Sequence, residues 1–189
     1  MTESAAVPIS ESLIRQYDVS GPRYTSYPTA DRFVEAFTAN DYGLALEQRR
    51  SGASAMALPL SLYVHIPFCE SLCYYCACNK IITKHHDRAV AYLRYLSREV
   101  DLHTARMGMG QTVSQLHFGG GSPTFLSDDE LRELMAMLRR SFNFTPGGEY
   151  SIEIDPRTID EKRLDTLAEL GFNRLSFGVQ DFDPAVQKA

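Results

Sequence analysis

The residues best suited to carry out chemistry are the four cysteines at positions 69, 73, 76 and 78. The rest of the 189-residue chain has no cysteine. The thiolates of Cys69, Cys73 and Cys76 have the spacing C-x3-C-x2-C, which can wrap one cubane cluster and ligate three of its irons. A 4Fe-4S cluster ordinarily takes four cysteine ligands, so this trio would leave one iron open to an exogenous chelating amino-carboxylate. A disulfide framework would instead spread its cysteines to join distant segments.

Two questions stay open for these thiols, the role of Cys78 and the identity of the metal. Cys78 can be a fourth ligand, a catalytic thiol or a bystander. The whole group can also be read as a structural zinc site. Zinc sites usually divide their ligands into two separated pairs, and the sequence has no second pair and no nearby His-x3-His. The spacing therefore favours iron and sulfide over zinc.

Two further features could bind a ligand. The glycines at 119–121, followed by Ser122, are either a structural turn or a cradle in which the backbone closely approaches a cofactor. They do not form a P-loop, because no Gly-Lys-Ser/Thr follows. Glu153 lies in an otherwise apolar run, where an unpartnered carboxylate is costly. It is either a ligand-binding group or a side chain that points to solvent at a strand end.

These features are positioned by alternating strand and helix patterns. Short apolar runs predict strands at 62–66, 115–118, 150–154 and 174–179, with helices starting near Asp87, Ser127, Thr158 and Asp183. Ser127 with Glu130, and Thr158 with Glu161, have the capping-box spacing. Alternation of this kind indicates parallel strands with right-handed crossovers, an α/β fold.

Each candidate group lies at or just after the end of one of these strands, including Gln180 after the fourth. In parallel β/α architectures the carboxyl ends of the strands lie on one face and carry the chemistry, so one common site is predicted. Four strands cannot close a barrel. We therefore expect a partial (β/α) barrel, truncated after about four strands and belonging to a longer protein.

The remaining composition limits the partners. A net charge of -5 and a pI near 5.5, without a basic stripe, argue against a nucleic-acid partner. The first residues lack a signal or transit pattern, and no run of 18 apolar residues occurs. We expect a cytoplasmic protein without a membrane partner. Two regions are predicted: 1–58, an irregular N-terminal segment with short helices and a substrate-side loop, and 59–189, an incomplete β/α core.

The cysteine spacing with an aromatic residue before the third cysteine, followed by the glycines, resembles the radical S-adenosylmethionine superfamily. Within it, the chain is similar to the oxygen-independent coproporphyrinogen III oxidase family (coproporphyrinogen III dehydrogenase) from about residue 10 onward. The motifs that carry this likeness are GPRYTSYPT at 21–29, YVHIPFC at 63–69, CACNK at 76–80, HFGGGSPT at 117–124 and GVQDF at 178–182.

This resemblance implies that Cys69, Cys73 and Cys76 bind a 4Fe-4S cluster whose open iron takes S-adenosylmethionine. It also implies two S-adenosylmethionine molecules. Those expected to contact the first are Tyr63, Gly120 and Glu153, and those expected to contact the second are Tyr75, Gly121, Ser122 and Gln180. Ser122 and Tyr75 stand where the family commonly has Thr and Phe, and both exchanges keep the needed hydroxyl or ring.

The same resemblance implies a reaction. A 5'-deoxyadenosyl radical would abstract hydrogen from a propionate of coproporphyrinogen III, and loss of CO2 and one electron would leave a vinyl group. Two rounds would give protoporphyrinogen IX in haem biosynthesis. A reducing electron donor is required, and a monomer is expected. Arg23 is either a residue that pairs with substrate carboxylates or a plain surface arginine. The shortened chain is expected to have little or no activity alone.

A haem chaperone of the same superfamily, a carrier without oxidase activity, is the alternative function. Such chaperones typically lack the segment at 21–28 and have Phe at the position of Cys78. On both features this sequence is similar to the oxidases.

Overall fold

The computed structural model describes residues 9–18, 29–50, 58–74, 76 and 78–188. The chain divides into two compact units, residues 1–38 and 39–189. The first unit contains helix α1, Glu11–Tyr17, whose N-cap Ser10 accepts a hydrogen bond from the Leu13 N–H, and a short 3-10 helix, Ala30–Arg32. The motif at 21–28, with Arg23, lies outside the described residues.

The second unit alternates strands and helices as the sequence predicts. In chain order its elements are α2 (Ala39–Arg50), β1 (Leu60–Ile66), β2 (Phe68–Cys69), β3 (Ile81–Ile82), α3 (Asp87–Met107), β4 (Gln111–Gly120), a 3-10 turn (Pro123–Phe125), α4 (Asp128–Ser141), β5 (Phe142–Glu153), α5 (Glu161–Glu169), β6 (Arg174–Ser176) and α6 (Pro184–Lys188).

Four strands form one parallel sheet in the order β1-β4-β5-β6, which is also their order along the chain. Helix α4 joins β4 to β5, and helix α5 joins β5 to β6. This sequential parallel order is the beginning of a β/α barrel and confirms the predicted fold class. The β2–β3 pair is a separate small sheet.

The two faces of the sheet differ in polarity because neighbouring strand residues point to opposite sides. Val64, Phe118 and Ile152 occupy the helix-covered face and are at most 5% exposed. Burial of each stabilises the fold by about 1.5–3 kcal/mol. The alternate residues Tyr63, His117 and Ser151 form a row across β1, β4 and β5 by strand register. The face that carries this row is polar and is the one available for a ligand.

Helices α3 and α4 cover the apolar face through buried stripes at helical spacing. The buried apolar members are Ala89, Leu96, Val100 and Met107 on α3 and Leu131, Leu134, Met135 and Leu138 on α4. The predicted capping box at the start of α4 is confirmed, because Ser127 accepts from the Glu130 N–H and Glu130 accepts from the Ser127 N–H. Among the residues with described structure, no helix combines the length and the apolar character needed to cross a membrane.

The second predicted capping box is wrong. Helix α5 begins two residues later than Thr158 would set it, with Asp160 as its N-cap and the Arg163 N–H donating to that carboxylate at 2.8 Å. The Thr158 hydroxyl donates instead to the Asp155 carbonyl at 3.0 Å. Both residues are good caps, and the turn after Asp155 decides between them.

Three strand boundaries also differ from the prediction by more than two residues. Strand β4 starts at Gln111 rather than at 115. Strand β5 starts at Phe142 rather than at 150, because a register shift on β4 between Val113 and Gln115 accommodates the Pro-Gly-Gly at 146–148. Strand β6 ends at Ser176 rather than at 179.

Helix α2 belongs to the second unit, although the sequence places it within the predicted segment 1–58. It packs on α3, where the Tyr42 hydroxyl and the His103 Nε2 lie 2.8 Å apart and Arg106 forms an ion pair with Glu47 at 2.8 Å. The boundary near residue 58 stays a prediction.

Candidate functional site

The cysteine loop is fixed at its base by the small β2–β3 sheet. Phe68 pairs with Ile81, and Cys69 pairs with Ile82, so the two ends of the cysteine loop lie side by side. The Thr83 N–H donates to the Cys69 carbonyl at 2.9 Å and closes this base. The ladder therefore holds the first thiol at the start of the segment that carries the other cysteines.

The thiols of this loop are free and accessible to differing degrees. Cys69 and Cys76 are partly buried, and Cys73 and Cys78 are exposed. The Cys76 N–H donates to the Cys73 carbonyl at 3.1 Å, which forms a turn between these two cysteines. All four thiols are thus available to bind an external group.

The glycine-rich segment packs directly against the first thiol. The Gly121 N–H donates to the Ile66 carbonyl and the Ser122 N–H to the Phe68 carbonyl, each at 2.8 Å. The Ser122 hydroxyl lies 3.8 Å from the Cys69 sulfur. A Cβ on Gly121 would lie 2.6 Å from the Phe68 carbonyl oxygen and 2.9 Å from the Cys69 sulfur. Only glycine allows this close approach of the two segments.

Local charges act on the thiol pKa values. Partial burial raises the pKa of Cys69, and the hydrogen bond from Ser122 opposes this only in part. Burial alone would raise the pKa of Cys76 as well. Hydrogen bonds from Cys78 and Lys80, together with the charge of Lys80, outweigh burial and lower that pKa. Lys80 therefore favours thiolate, the form that binds metal.

A second cation lies on the other side of the loop. Arg157 forms an ion pair with Asp155 at 2.7 Å, and its Nη2 donates to the Ser71 hydroxyl at 3.4 Å. The hydrogen bond from Arg157 lowers the pKa of Asp155. The Cys73 thiolate contributes to the raised pKa of Arg157, after Asp155. The segment after β5 thus reaches the cysteine loop through one guanidinium group.

Glu153 is held by the neighbouring strand, although its side chain is 41% exposed. One carboxylate oxygen accepts from the Gly120 N–H at 3.2 Å. The other lies 3.3 Å from the His117 Nε2. A carboxylate fixed in this way at the end of β5 still has lone pairs directed outward for a ligand with N–H or O–H donors.

Tyr63 connects this carboxylate region to the cysteine loop. Its hydroxyl lies 2.9 Å from the His65 Nδ1, and the His65 Nε2 lies 2.8 Å from the Asn79 carbonyl oxygen. Burial, with a further contribution from the Glu153 carboxylate, raises the pKa of Tyr63. Gly120 has a left-handed φ of 113°, and a Cβ there would come within 2.6 Å of the His65 ring.

The sequence-predicted residues are therefore brought together in two adjoining groups within the described chain. One group joins Cys69 to Gly121 and Ser122, and the other joins Tyr63, Gly120 and Glu153. Two residues fall outside them. Tyr75 is not among the described residues. Gln180 lies in the exposed segment after β6, at φ 67°, and in the described part of the chain no hydrogen bond joins it to the other candidates.

The donor set fits an iron–sulfur cluster. It offers free thiols at three closely spaced positions, a lysine beside them, and a surface at Gly121 and Ser122 without bulky side chains. Each thiolate of a cubane binds a different iron. Among the described residues, no three side chains of His, Cys, Asp or Glu are grouped so that they could hold one metal ion.

Below the site, the polar face of the sheet bounds a cavity of about 230 Å³. Ser61, Gln115 and Ser176 line it together with His117 and Ser151. The Arg174–Glu149 ion pair, at 2.8 Å, lies at its border. The interior of the partial barrel is therefore hydrophilic beneath the candidate residues.

Sequence reasoning missed Lys80, His65 and His117 as members of the site. His65 and His117 were visible only as parts of motifs. A signal was present, because both are polar residues on the same side of apolar strands as Tyr63, within three residues of a strand end. Lys80 has no such periodic signal, since its place beside the thiols depends on the loop conformation.

Comparisons with known proteins agree with this geometry. The model of the Radical SAM superfamily matches residues 63–189. The oxygen-independent coproporphyrinogen III oxidase of Pseudomonas aeruginosa is 55% identical over 179 residues, which cover 94% of this chain and 38% of that protein. The protein of the same name from Escherichia coli is 50% identical over 177 residues, which cover 94% of this chain and 37% of that protein.

A solved structure is also similar. The coproporphyrinogen III oxidase of Escherichia coli, described as a Radical SAM enzyme, superposes with a TM-score of 0.78 at 45% identity. The match covers 94% of this chain and 38% of that one. The chain thus spans somewhat more than a third of the length of the relatives that it matches.

Proposed function

Since the chain belongs to the Radical SAM superfamily, we propose that it is the cluster-binding part of an enzyme that converts coproporphyrinogen III to protoporphyrinogen IX without oxygen. The curated relatives bear the name of this activity. Because the chain spans about 38% of their length, the activity is proposed for the protein that contains the matching remainder.

One observation supports this proposal most strongly. The free thiol of Cys69 packs against Gly121 and Ser122, so the first cysteine and the glycine-rich turn share one surface at the carboxyl ends of β1 and β4. Cys69, Cys73 and Cys76 would hold a cluster beside this surface, where Gly121 presents no side chain. Three thiolates would leave one iron for a cofactor, which would supply the reactive chemistry.

Members of the superfamily use a 4Fe-4S cluster and S-adenosylmethionine. When bound, the pair supplies a 5'-deoxyadenosyl radical by one-electron reductive cleavage of the sulfonium. This chain's residues would position the cofactor. Tyr63, Gly120 and Glu153 would contact the first S-adenosylmethionine, with the Glu153 carboxylate accepting hydrogen bonds from the donors of that molecule.

Residues on and near the glycine turn would hold the second S-adenosylmethionine. Gly121 and Ser122, which face Cys69, would contact it together with Tyr75 and Gln180. Each vinyl group would require transfer of one hydrogen atom from a substrate propionate to the deoxyadenosyl group, loss of CO2, and transfer of one electron to an external one-electron acceptor.

We also propose that the protein acts as a cytoplasmic monomer and takes its electrons from a separate low-potential reductant. The acidic net charge of -5 supports the absence of a nucleic-acid partner.

Reductive cleavage of S-adenosylmethionine tests this proposal. The chain is reconstituted anaerobically with iron and sulfide and reduced with dithionite. Chromatography then measures 5'-deoxyadenosine, and elemental analysis measures the zinc and iron content. We expect about four irons per chain, cofactor-dependent 5'-deoxyadenosine, and loss of both in the Cys69→Ser, Cys73→Ser and Cys76→Ser variants. Zinc without iron, or stoichiometric haem binding without 5'-deoxyadenosine, would contradict it and favour a zinc protein or a haem carrier.

A further inference from the structure

His117 has no assigned role in the proposed site, although it contacts two of the candidate cofactor-binding residues. Its Nε2 lies 3.3 Å from a Glu153 carboxylate oxygen, and its ring stacks on Tyr63 with centroids 5.8 Å apart and an interplanar angle of 15°. Tyr63 and Glu153 are both proposed contacts of the first S-adenosylmethionine. One imidazole therefore touches two ligands of the same molecule.

The ring is fixed from its other side as well. The His117 Nδ1 lies 2.7 Å from the hydroxyl of Ser151, which is only 6% exposed. The Ser151 hydroxyl also donates to the Leu116 carbonyl at 3.2 Å, so the backbone of β4 holds this contact of the imidazole in place. A hydrogen bond at one ring nitrogen orients the imidazole and so fixes where its other nitrogen points.

At Gly119, the backbone beneath these three side chains leaves no space for a side chain of its own. A Cβ on Gly119 would lie 2.9 Å from the His117 Nε2, 3.1 Å from the Glu153 carboxyl carbon and 3.1 Å from the Tyr63 ring. Gly119 is therefore the point on which the tyrosine, the imidazole and the carboxylate converge. The mutual packing of these side chains, rather than a left-handed backbone, requires glycine here.

We propose that His117 is a positioning residue that holds the Glu153 carboxylate and the Tyr63 ring in the orientation in which they bind S-adenosylmethionine. This rests on the proposed function, which supplies the ligand. The Gly120 N–H fixes one carboxylate oxygen and His117 fixes the other. Without His117 the carboxylate keeps one partner and can rotate about it.

The test is S-adenosylmethionine affinity, measured on the reconstituted chain by the change in the EPR signal of the reduced cluster. His117→Phe keeps a stacking ring and removes both nitrogens. We expect its Kd to rise about tenfold to a hundredfold, as for loss of one hydrogen bond to a charged group, with unchanged iron content and melting temperature. His103→Phe, which removes a partly exposed histidine on α3 that contacts Tyr42, is the matched control and leaves the Kd unchanged.

A double-mutant cycle distinguishes a positioning role of His117 from a general effect on the stability of the fold. Glu153→Gln weakens binding in the wild-type chain, and we expect it to have little further effect in the His117→Phe background, because the two residues act together. Full additivity, or an unchanged Kd in His117→Phe, overturns the inference.

If His117→Phe loses iron, Ser151→Ala is measured in its place. It keeps the imidazole and releases its orientation, so a smaller rise in Kd is expected, and no rise overturns the inference. A wild-type chain that binds its cluster but never responds to S-adenosylmethionine contradicts the proposed function itself. The two failures are thereby distinguishable.

Discussion

At the scale of single residues, the site depends on close approach between backbone and sulfur. Gly121 sets the distance between the glycine turn and Cys69, because any side chain there would collide with a carbonyl oxygen and the thiol. The thiols themselves are oriented by the short β2–β3 ladder and by Lys80. These contacts are specific enough for single substitutions to separate stability from cluster binding.

Gly121→Ala is expected to reduce the iron bound after reconstitution to less than half of the wild-type value, because its Cβ would displace Phe68 or Cys69. Iron and sulfide analysis measures this. Gly147→Ala is the control: its φ of 77° makes alanine strained, but no atom lies within 4 Å of the added carbon. It is expected to destabilise the fold by about 1 kcal/mol and to keep its iron. Equal iron in both variants would argue against close packing at Gly121.

The Asp155–Arg157 pair predicts a pH dependence. The pKa of Asp155 is lowered from 3.8 in the folded chain by hydrogen bonds from Arg157. Its contribution to the free energy of unfolding is therefore complete above about pH 4 and is lost as the pH falls through the lowered folded-state pKa. Urea unfolding of the wild type and of Asp155→Asn should differ near neutral pH and converge in acid. A difference that is independent of pH would contradict this account.

At the scale of elements, the order and type of strands and helices could be predicted from periodicity, whereas boundaries could not. The apolar stripe on α4 and its Ser127 cap are local signals and were correct. Asp160 and Thr158 are both suitable caps, and a contact with the preceding turn selects Asp160. The start of β5 depends on pairing with β4 around a bulge, which no local pattern contains.

The corrected cap gives a direct comparison. Asp160→Ala removes the acceptor for the Arg163 N–H and is expected to destabilise the chain by about 1 kcal/mol. Thr158→Ala removes only an exposed hydroxyl that donates to Asp155, and less than half of that effect is expected. Urea midpoints of the two variants decide the point, and equal or reversed effects would restore the predicted capping box.

At the scale of the whole molecule, parallel register explains why distant motifs form one site. Tyr63, His117 and Ser151 are adjacent by strand pairing although almost ninety residues separate the first from the last. Cysteine spacing and glycines could be recognised in the sequence because each is local. The roles of His117 and Lys80 could not, because they arise from which strands and loops become neighbours.

The limited length of the match has its own consequence. The chain spans about 38% of the relatives that it resembles, so the expected substrate contacts are incomplete. We expect cofactor cleavage by the reconstituted chain but little or no protoporphyrinogen IX from coproporphyrinogen III. An anaerobic assay of both products measures this, and turnover at the rate of a complete enzyme would contradict it.

The central claim is that three thiolates leave one iron of the cluster free for S-adenosylmethionine. Mössbauer spectroscopy of the chain reconstituted with 57Fe measures the irons individually. We predict one iron site distinct from the other three, whose isomer shift changes when S-adenosylmethionine is added. Irons that are all sulfur-ligated, with a spectrum unaffected by the cofactor, would contradict the claim.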